Sequence, residues 1–96
     1  MDQKPNKNLR WDIINDKCIS TIFRQIYVPY TGNYTNSWET FIWNWDAEKK
    51  DRTKWVGEYY HGSKKRALEM HNRLLRIYSY LQARKNRKIN INWRNT

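Results

Sequence analysis

The sequence predicts an α+β fold: a three-stranded antiparallel sheet with one long C-terminal helix packed on one face. Three observations predict it. Segments rich in β-branched and aromatic residues follow one another, separated by turn-forming residues, as consecutive strands do. A polar connection of hairpin-loop length, residues 46–52, joins the last two segments. A stripe of apolar residues at helical spacing comes after them. The 96 residues fit one small domain.

The first part of the chain is the least patterned. Residues 1–8 are polar and predict a flexible N-terminus. Residues 9–18 place Leu9, Ile13 and Ile14 at helical spacing, which predicts a short N-terminal helix. The first strand is expected over residues 19–28, where the sequence reads ISTIFRQIYV. Turn-forming residues at 29–37 end it.

The remaining strands and the helix have clearer signals. Residues 38–45 are strongly aromatic and form the second predicted strand, and residues 53–60, TKWVGEYY, form the third. Gly62 ends the third strand, and Ser63 is a good N-cap for the helix. The helical stripe is Ala67, His71, Leu74, Tyr78 and Leu81. The domain is therefore expected to span 9–84. Residues 85–96 form a basic tail, either an arm or an added edge strand at 89–93.

Both faces of the second predicted strand contain aromatic residues, so the face that packs against the core has to be chosen. Alternation places Trp38, Thr40 and Ile42 on one face and Glu39, Phe41, Trp43 and Trp45 on the other. The second set is expected to face the core, apart from Glu39 at its start. Because one helix covers one side of a sheet, the first set is predicted to form an exposed protein interface, which would also allow a homodimer. The alternative is that the N-terminal segment covers it.

Charge is concentrated at the C-terminal end. The net charge is +10, and residues 63–96 contain ten Lys and Arg against Glu69 as their one acid, which gives +9. Such a field attracts nucleic acid, an anionic membrane or an acidic protein surface. A membrane is disfavoured because the tail has no apolar face. The alternatives are a solubilising surface and an enrichment that reflects genome composition.

The basic back of the helix is the candidate site. Three basic residues occupy the first helical turn, where positive charge opposes the helix dipole, and a bound anion would offset that cost. Basic residues around an aromatic ring suit phosphate contacts with one stacking partner. The candidate nucleic-acid-binding residues are Lys64, Lys65, Arg66, Arg73, Arg76, Tyr80, Arg84, Lys85, Arg87 and Lys88.

The sequence predicts no catalytic site, no metal site and no cofactor. Two His and one Cys do not make a zinc site, and no Gly-rich phosphate loop is present. His71, on the apolar stripe, is interpreted as a hydrogen-bonded core residue. Cys18 is the one cysteine, so no intramolecular disulfide can form, and a reducing cytoplasm is expected, that of the host cell if the protein is phage-encoded. No apolar run suggests a signal peptide or a membrane span.

Two motifs carry a resemblance. WETFIW followed by EYYHGSKKRALEMH resembles a family of small bacteriophage proteins of unknown function, over about residues 38–75. The matching positions are Glu39, Thr40, Phe41, Ser63, Ala67 and His71. The resemblance implies a phage origin and a small ββα core, without an activity. Family members tend to have acids in the first helical turn, where this chain has Lys64, Lys65 and Arg66.

The second motif is HGSKKRAL, residues 61–68. It is similar to the start of the last helix in double-stranded-RNA-binding domains, which grips phosphates. That likeness implies phosphate contacts by Lys64 and Lys65. The chain departs from the pattern further along, where His71, Leu74 and Leu75 stand among positions that these domains fill with small residues.

The functional expectation is a non-enzymatic, phage-type accessory protein that binds nucleic acid or a host nucleoprotein through its basic helix and tail. Recognition would rest on backbone and shape. One alternative is a protein–protein inhibitor of a host defence or host-takeover target, comparable to an anti-CRISPR protein. Another is a component of the virion or of its assembly.

Overall fold

A computed structural model describes residues 7–94 of the chain, and the side chains of residues 7–86. It is an α+β fold with one C-terminal helix on an antiparallel sheet. The sheet has four strands rather than three, in the order β1-β2-β3-β4. The elements are β1 (Lys7–Ile14), β2 (Lys17–Val28), β3 (Asn33–Asp46), β4 (Asp51–His61) and α1 (Lys64–Arg94).

The additional strand is β1, so the predicted N-terminal helix is wrong. The helical spacing of Leu9 and Ile13 coexists with an alternation that a strand also satisfies: β1 pairs with β2 from Lys7↔Phe23 to Ile14↔Lys17. Asn15 adopts a φ of 55° in the tight turn between them. Asn tolerates this left-handed conformation better than most residues, so it permits the hairpin. The predicted flexible N-terminus falls mostly outside the described residues, and residues 7 and 8 belong to β1.

The strands are also longer than predicted. The turn between β2 and β3 occupies residues 29–32 only, with Gly32 at a φ of 70°. Residues 33–37, predicted as turn, pair with the end of β2, from Ser37↔Arg24 to Asn33↔Val28. The partner strand therefore outweighs their low strand propensity. Between β3 and β4, the Asp46 carboxylate accepts the backbone N–H groups of Glu48 and Lys49 at 2.9 and 3.1 Å and stabilises the turn.

The helix begins as predicted and ends later. The Arg66 backbone N–H donates to Ser63 Oγ at 3.2 Å, which confirms Ser63 as the N-cap. The helix then continues for 31 residues to Arg94. The prediction of an arm or an edge strand after residue 84 is therefore wrong for residues 85–94, which are helical.

The helix packs on the opposite sheet face from the one predicted. Ile19, Ile42 and Leu74 form the buried apolar cluster, and Met70 and Tyr78 of the helix pack against it. The residues predicted as an exposed interface lie on this covered face: Thr40 is fully buried, Ile42 is 3% exposed and Trp38 is half-buried. That interface prediction is wrong as to exposure. Small and β-branched side chains let the helix approach the sheet closely, whereas tryptophans would hold it away.

The other sheet face carries the aromatic residues that were predicted to face the core. We call it the aromatic face; it consists of Trp11, Phe41, Trp43, Trp45, Trp55 and Tyr60, placed together by strand register and ring contacts. Trp11 and Trp45 meet edge to face, with ring centroids 5.7 Å apart. Cys18 and Ser20 are buried beneath these rings. No element of the described part of the chain packs over this face.

Candidate nucleic-acid interface

The exposed side of α1 gathers five of the predicted binding residues. With about 100° of rotation per residue, they fall within a sector roughly 80° wide on the side turned away from the core. The helical rise of 1.5 Å per residue gives this sector a length of about 27 Å. All five side chains are exposed. We call this set the basic face: Arg66, Arg73, Arg76, Tyr80 and Arg84.

The cationic groups of the basic face are not neutralised within the described side chains. The ion pairs found among residues 7–86 join Arg10 to Asp12, Lys17 to Asp16, Arg24 to Glu39 and His71 to Asp12. None involves a lysine or arginine of α1. The carboxylates of the β3–β4 region do not reach the helix either; that of Asp46, for example, accepts the backbone N–H of Glu48 in the turn. The charge of the basic face is therefore available to an external anion.

Part of the basic face lines a groove between α1 and the end of β4. Its volume is about 500 Å³. It is lined by His61, Arg66, Glu69, Met70, Arg73 and Arg76. Three guanidinium groups thus surround one concave region, with Glu69 as the one acid among the lining residues. Guanidinium groups suit phosphate oxygens because their planar fork can donate two parallel hydrogen bonds.

The other predicted binding residues are distributed around the helix. Lys65 borders the basic face, whereas Lys64 points to a different side of the first turn; both are exposed. Lys85 lies on the side of α1 that faces the sheet. The pKa of Asp16 is lowered mainly by its hydrogen bond with Lys17, and the charge of Lys85 adds a smaller lowering. The side chains of Arg87 and Lys88 lie outside the described residues. The first turn contains no acid, so the helix N-terminus keeps its positive end uncompensated.

Beneath the helix lies a buried polar network that the sequence did not indicate as a unit. His71 Nδ1 is 2.8 Å from Thr21 Oγ1, which is 2.8 Å from Thr40 Oγ1. Thr40 Oγ1 in turn is 3.1 Å from His61 Nε2. On the other side, His71 Nε2 is 2.7 Å from Asp12 Oδ2. The network crosses all four strands and α1, and it confirms His71 as a hydrogen-bonded core residue.

The protonation of this network follows from its surroundings. Burial lowers the pKa of His71, and the hydrogen bond that His71 donates to Asp12 only partly opposes this effect. Burial also acts on Asp12, but the hydrogen bonds of His71 and Arg10 outweigh it and lower the pKa of that carboxyl. A neutral His71 therefore donates from Nε2 to the Asp12 carboxylate and accepts the Thr21 hydroxyl at Nδ1.

The order Asp12, His71 and Thr21 matches the acid, base and nucleophile of hydrolytic relays. Thr21 has no exposed surface, however, and its hydroxyl lies between the helix and the sheet. A nucleophile has to reach a reacting atom at about 3 Å. The arrangement in this conformation is consequently structural: it holds α1 in register on the sheet.

Two features were missed by reasoning from the sequence. Arg10 of β1 donates to Asp12 on its own strand and also reaches the helix, where it donates to Asn72. The sequence also predicts the aromatic face as core, whereas the structure leaves it uncovered among the described residues. The sequence did contain a signal for which sheet face the helix covers. A buried His71 on the helical stripe needs polar partners, and Thr21 and Thr40 offer hydroxyls on neighbouring strands.

Comparisons with known proteins identify no relative: no protein family, no curated protein and no solved structure matches the chain. Within the described residues, no group of three or more His, Cys, Asp and Glu side chains is placed to hold a metal ion. The one described helix is not apolar enough to cross a bilayer.

Proposed function

We propose that this protein binds nucleic acid, free or within a nucleoprotein, through phosphate contacts made by the basic face of α1. One observation carries the proposal. Four arginines of the helix occupy one exposed sector, and no carboxylate among the described side chains pairs with them. Unpaired arginines repel one another, and an external polyanion would relieve that repulsion.

The dimensions of the basic face suit a phosphate backbone. A sector about 27 Å long runs beside a length of duplex that carries roughly sixteen phosphate charges, at one charge per 1.7 Å of axis. Several contacts can therefore form at once. The groove beside Arg66 and Arg73 supplies a concave site for one phosphate group. Tyr80 lies between arginines on the same face and can stack or donate a hydrogen bond.

The contacts expected from this surface are sequence-independent. Arginine and lysine contacts to phosphate position a protein on nucleic acid but read no base edges. Lys65 and the free N–H groups of the first helical turn would extend the contacts beyond the groove. The resemblance of residues 38–75 to small bacteriophage proteins favours an accessory role in a phage. The basic first helical turn, where those proteins tend to have acids, is the position at which a polyanion site could have arisen.

The test compares two double variants with equal loss of charge. Arg73→Gln with Arg76→Gln removes two groups from the basic face, whereas Lys49→Gln with Lys54→Gln removes two exposed lysines from the β3–β4 region. Affinity is measured by fluorescence anisotropy with labelled duplex DNA, duplex RNA and single strands at low salt. We expect the arginine variant to bind at least tenfold more weakly than the lysine variant. Equal affinities would overturn the proposal, as would the absence of binding by the unmodified protein.

A further inference from the structure

The aromatic face is an exposed surface on the side of the sheet away from α1, and the basic face does not account for it. Trp55 is 51% exposed, Tyr60 65% and Trp11 48%. Ile13, on the same face, is 42% exposed. A contiguous apolar surface of this kind on a small protein marks an interaction site. Its composition, rich in Trp and Tyr, is that of interface centres.

The core on the helix side is small for a chain of this length. The buried apolar residues on that side, among those described, are Ile19, Ile42, Ala67 and Leu74. Small domains are marginally stable because they bury a low fraction of their surface. Four of the five tryptophans with described side chains, including Trp43 and Trp45, lie instead on the uncovered side of the sheet. A second layer against that side would bury the missing apolar area.

The charge of the aromatic face differs from that of the whole molecule. The charged side chains that contacts and strand register place on it are Arg24, Arg52, Glu39 and Glu58. They sum to zero, against +10 for the chain. Arg52 lies over the Trp43 ring at 5.2 Å, and Glu39 pairs with Arg24 at 3.4 Å. Two copies of this basic protein can therefore approach through their aromatic faces without strong repulsion between the described side chains of those faces.

We infer that two copies of this chain pack through their aromatic faces, sheet against sheet, with an α1 helix on each outer side. Four strands about 4.8 Å apart and roughly nine residues long give a face of about 20 by 30 Å. Two such faces bury about 1,200 Å² in total, at the lower limit of stable specific interfaces. The expected dimer is therefore reversible and depends on concentration.

The arrangement keeps the two basic faces apart. Sheets stack about 10 Å from each other, and each helix lies on the far side of its own sheet, so more than roughly 20 Å separates the two helices. The Debye length at physiological salt is about 8 Å. Repulsion between the basic faces is therefore largely screened. The inference goes beyond the proposed function and does not require it, because the two surfaces lie on opposite sides of the molecule.

The test is the mass of the protein in solution, by sedimentation equilibrium from about 1 to 100 µM. We expect the mass to double over this range. Tyr60→Lys places a charge at an exposed position of the aromatic face, and Trp11→Ser with Trp55→Ser removes two rings. Each should weaken the dimer at least tenfold. Tyr30→Ser changes a side chain that is 92% exposed in the β2–β3 turn and should leave the dimer intact.

Circular dichroism checks that the variants fold, and tryptophan emission supplies a second readout on the unmodified protein. Dilution should shift the emission to longer wavelength, since four of the tryptophans lie on the aromatic face. A single-chain mass throughout would overturn the inference. A dimer unaffected by Tyr60→Lys would overturn it as well. A third contradicting result is a single-chain protein whose tryptophan emission changes only when single-stranded nucleic acid is added, which would mark the aromatic face as a base-stacking surface.

Discussion

His71 Nε2 lies 2.7 Å from Asp12 Oδ2, and this hydrogen bond ties the middle of α1 to the edge strand β1. The two residues are 59 positions apart in the chain. Their contact adds to the pairing of β1 with β2 in holding the N-terminal segment as a fourth strand, because β1 places a carboxylate where the helix offers a buried imidazole. The bond also fixes the direction in which α1 crosses the sheet, and thereby the orientation of the basic face.

Replacing His71 should destabilise the fold. His71→Ala removes a fully buried ring and leaves the Thr21 hydroxyl without its partner. A cavity and a lost hydrogen bond together should lower the free energy of unfolding by about 3 kcal/mol. Urea unfolding measures the change. Ser79→Ala, at an exposed position of the same helix, is the control and should cost little. A His71→Ala variant as stable as the control would contradict the structural role of the network.

Stability should fall as the pH falls below about 6.5, the unperturbed pKa of histidine. Burial lowers the pKa of both His71 and His61 in the folded state. Between the unperturbed pKa of histidine and the lowered pKa values of the folded state, the unfolded chain therefore binds more protons than the folded one. Acid consequently favours unfolding. The stability that the two neutral histidines contribute is complete above about pH 6.5 and is lost on acidification. The lowered pKa of Asp12 adds a further loss in the more acidic range.

The measurement is the urea midpoint at pH 7.5 and at pH 5.5. The double variant His61→Gln with His71→Gln should show a smaller difference between the two midpoints, although it is less stable at both. An unchanged difference in that variant would show that the histidines are not the groups responsible.

Ser63 should contribute about 1 kcal/mol through its cap. Its Oγ accepts the Arg66 N–H at 3.2 Å. Ser63→Ala should lower the melting temperature by about 4 to 8 °C in a domain of this size. Ser63→Asp should keep the cap and gain from the helix dipole, since the first turn contains no acid. If the alanine and aspartate variants melted together, the cap would not be formed in solution.

The Glu39–Arg24 pair should be sensitive to which partner is removed. Glu39 is 2% exposed and its Oε2 has no hydrogen-bond partner among the described residues, whereas Arg24 lies 3.4 Å away and is 41% exposed. Arg24→Gln leaves a buried carboxylate without its counterion and should cost about 2 kcal/mol, reduced by the exposure of the arginine. Glu39→Gln removes the buried charge itself and should cost less. The melting temperatures of both variants test this prediction. A Glu39→Gln variant that melts lower than Arg24→Gln would contradict it.

Local signals in the sequence were enough for several elements. Ser63 after Gly62 located the start of the helix, and the stripe from Ala67 to Tyr78 identified its buried side. The alternation of 38–45 identified a strand. In each case the pattern and the local chemistry agree, so no distant contact is needed to choose between conformations.

The remaining elements depend on contacts that no short window contains. Residues 9–14 satisfy both periods, and pairing with β2 decides between them. Hydrophobicity predicts that Trp43 and Trp45 face the helix. The structure instead turns Thr21 and Thr40 toward it, where Thr21 pairs with His71 and Thr40 pairs with Thr21. Polar complementarity between distant elements thus outweighed the apparent hydrophobic face.

The most direct test of the basic face is the slope of the logarithm of affinity against the logarithm of salt concentration. With about six phosphates contacted on a duplex, affinity should fall roughly a thousandfold between 50 and 200 mM salt. The Arg73→Gln and Arg76→Gln double variant should reduce the slope by about two, whereas the Lys49→Gln and Lys54→Gln control should leave it unchanged. A salt-independent affinity, or an equal reduction in both variants, would contradict the assignment of phosphate binding to α1.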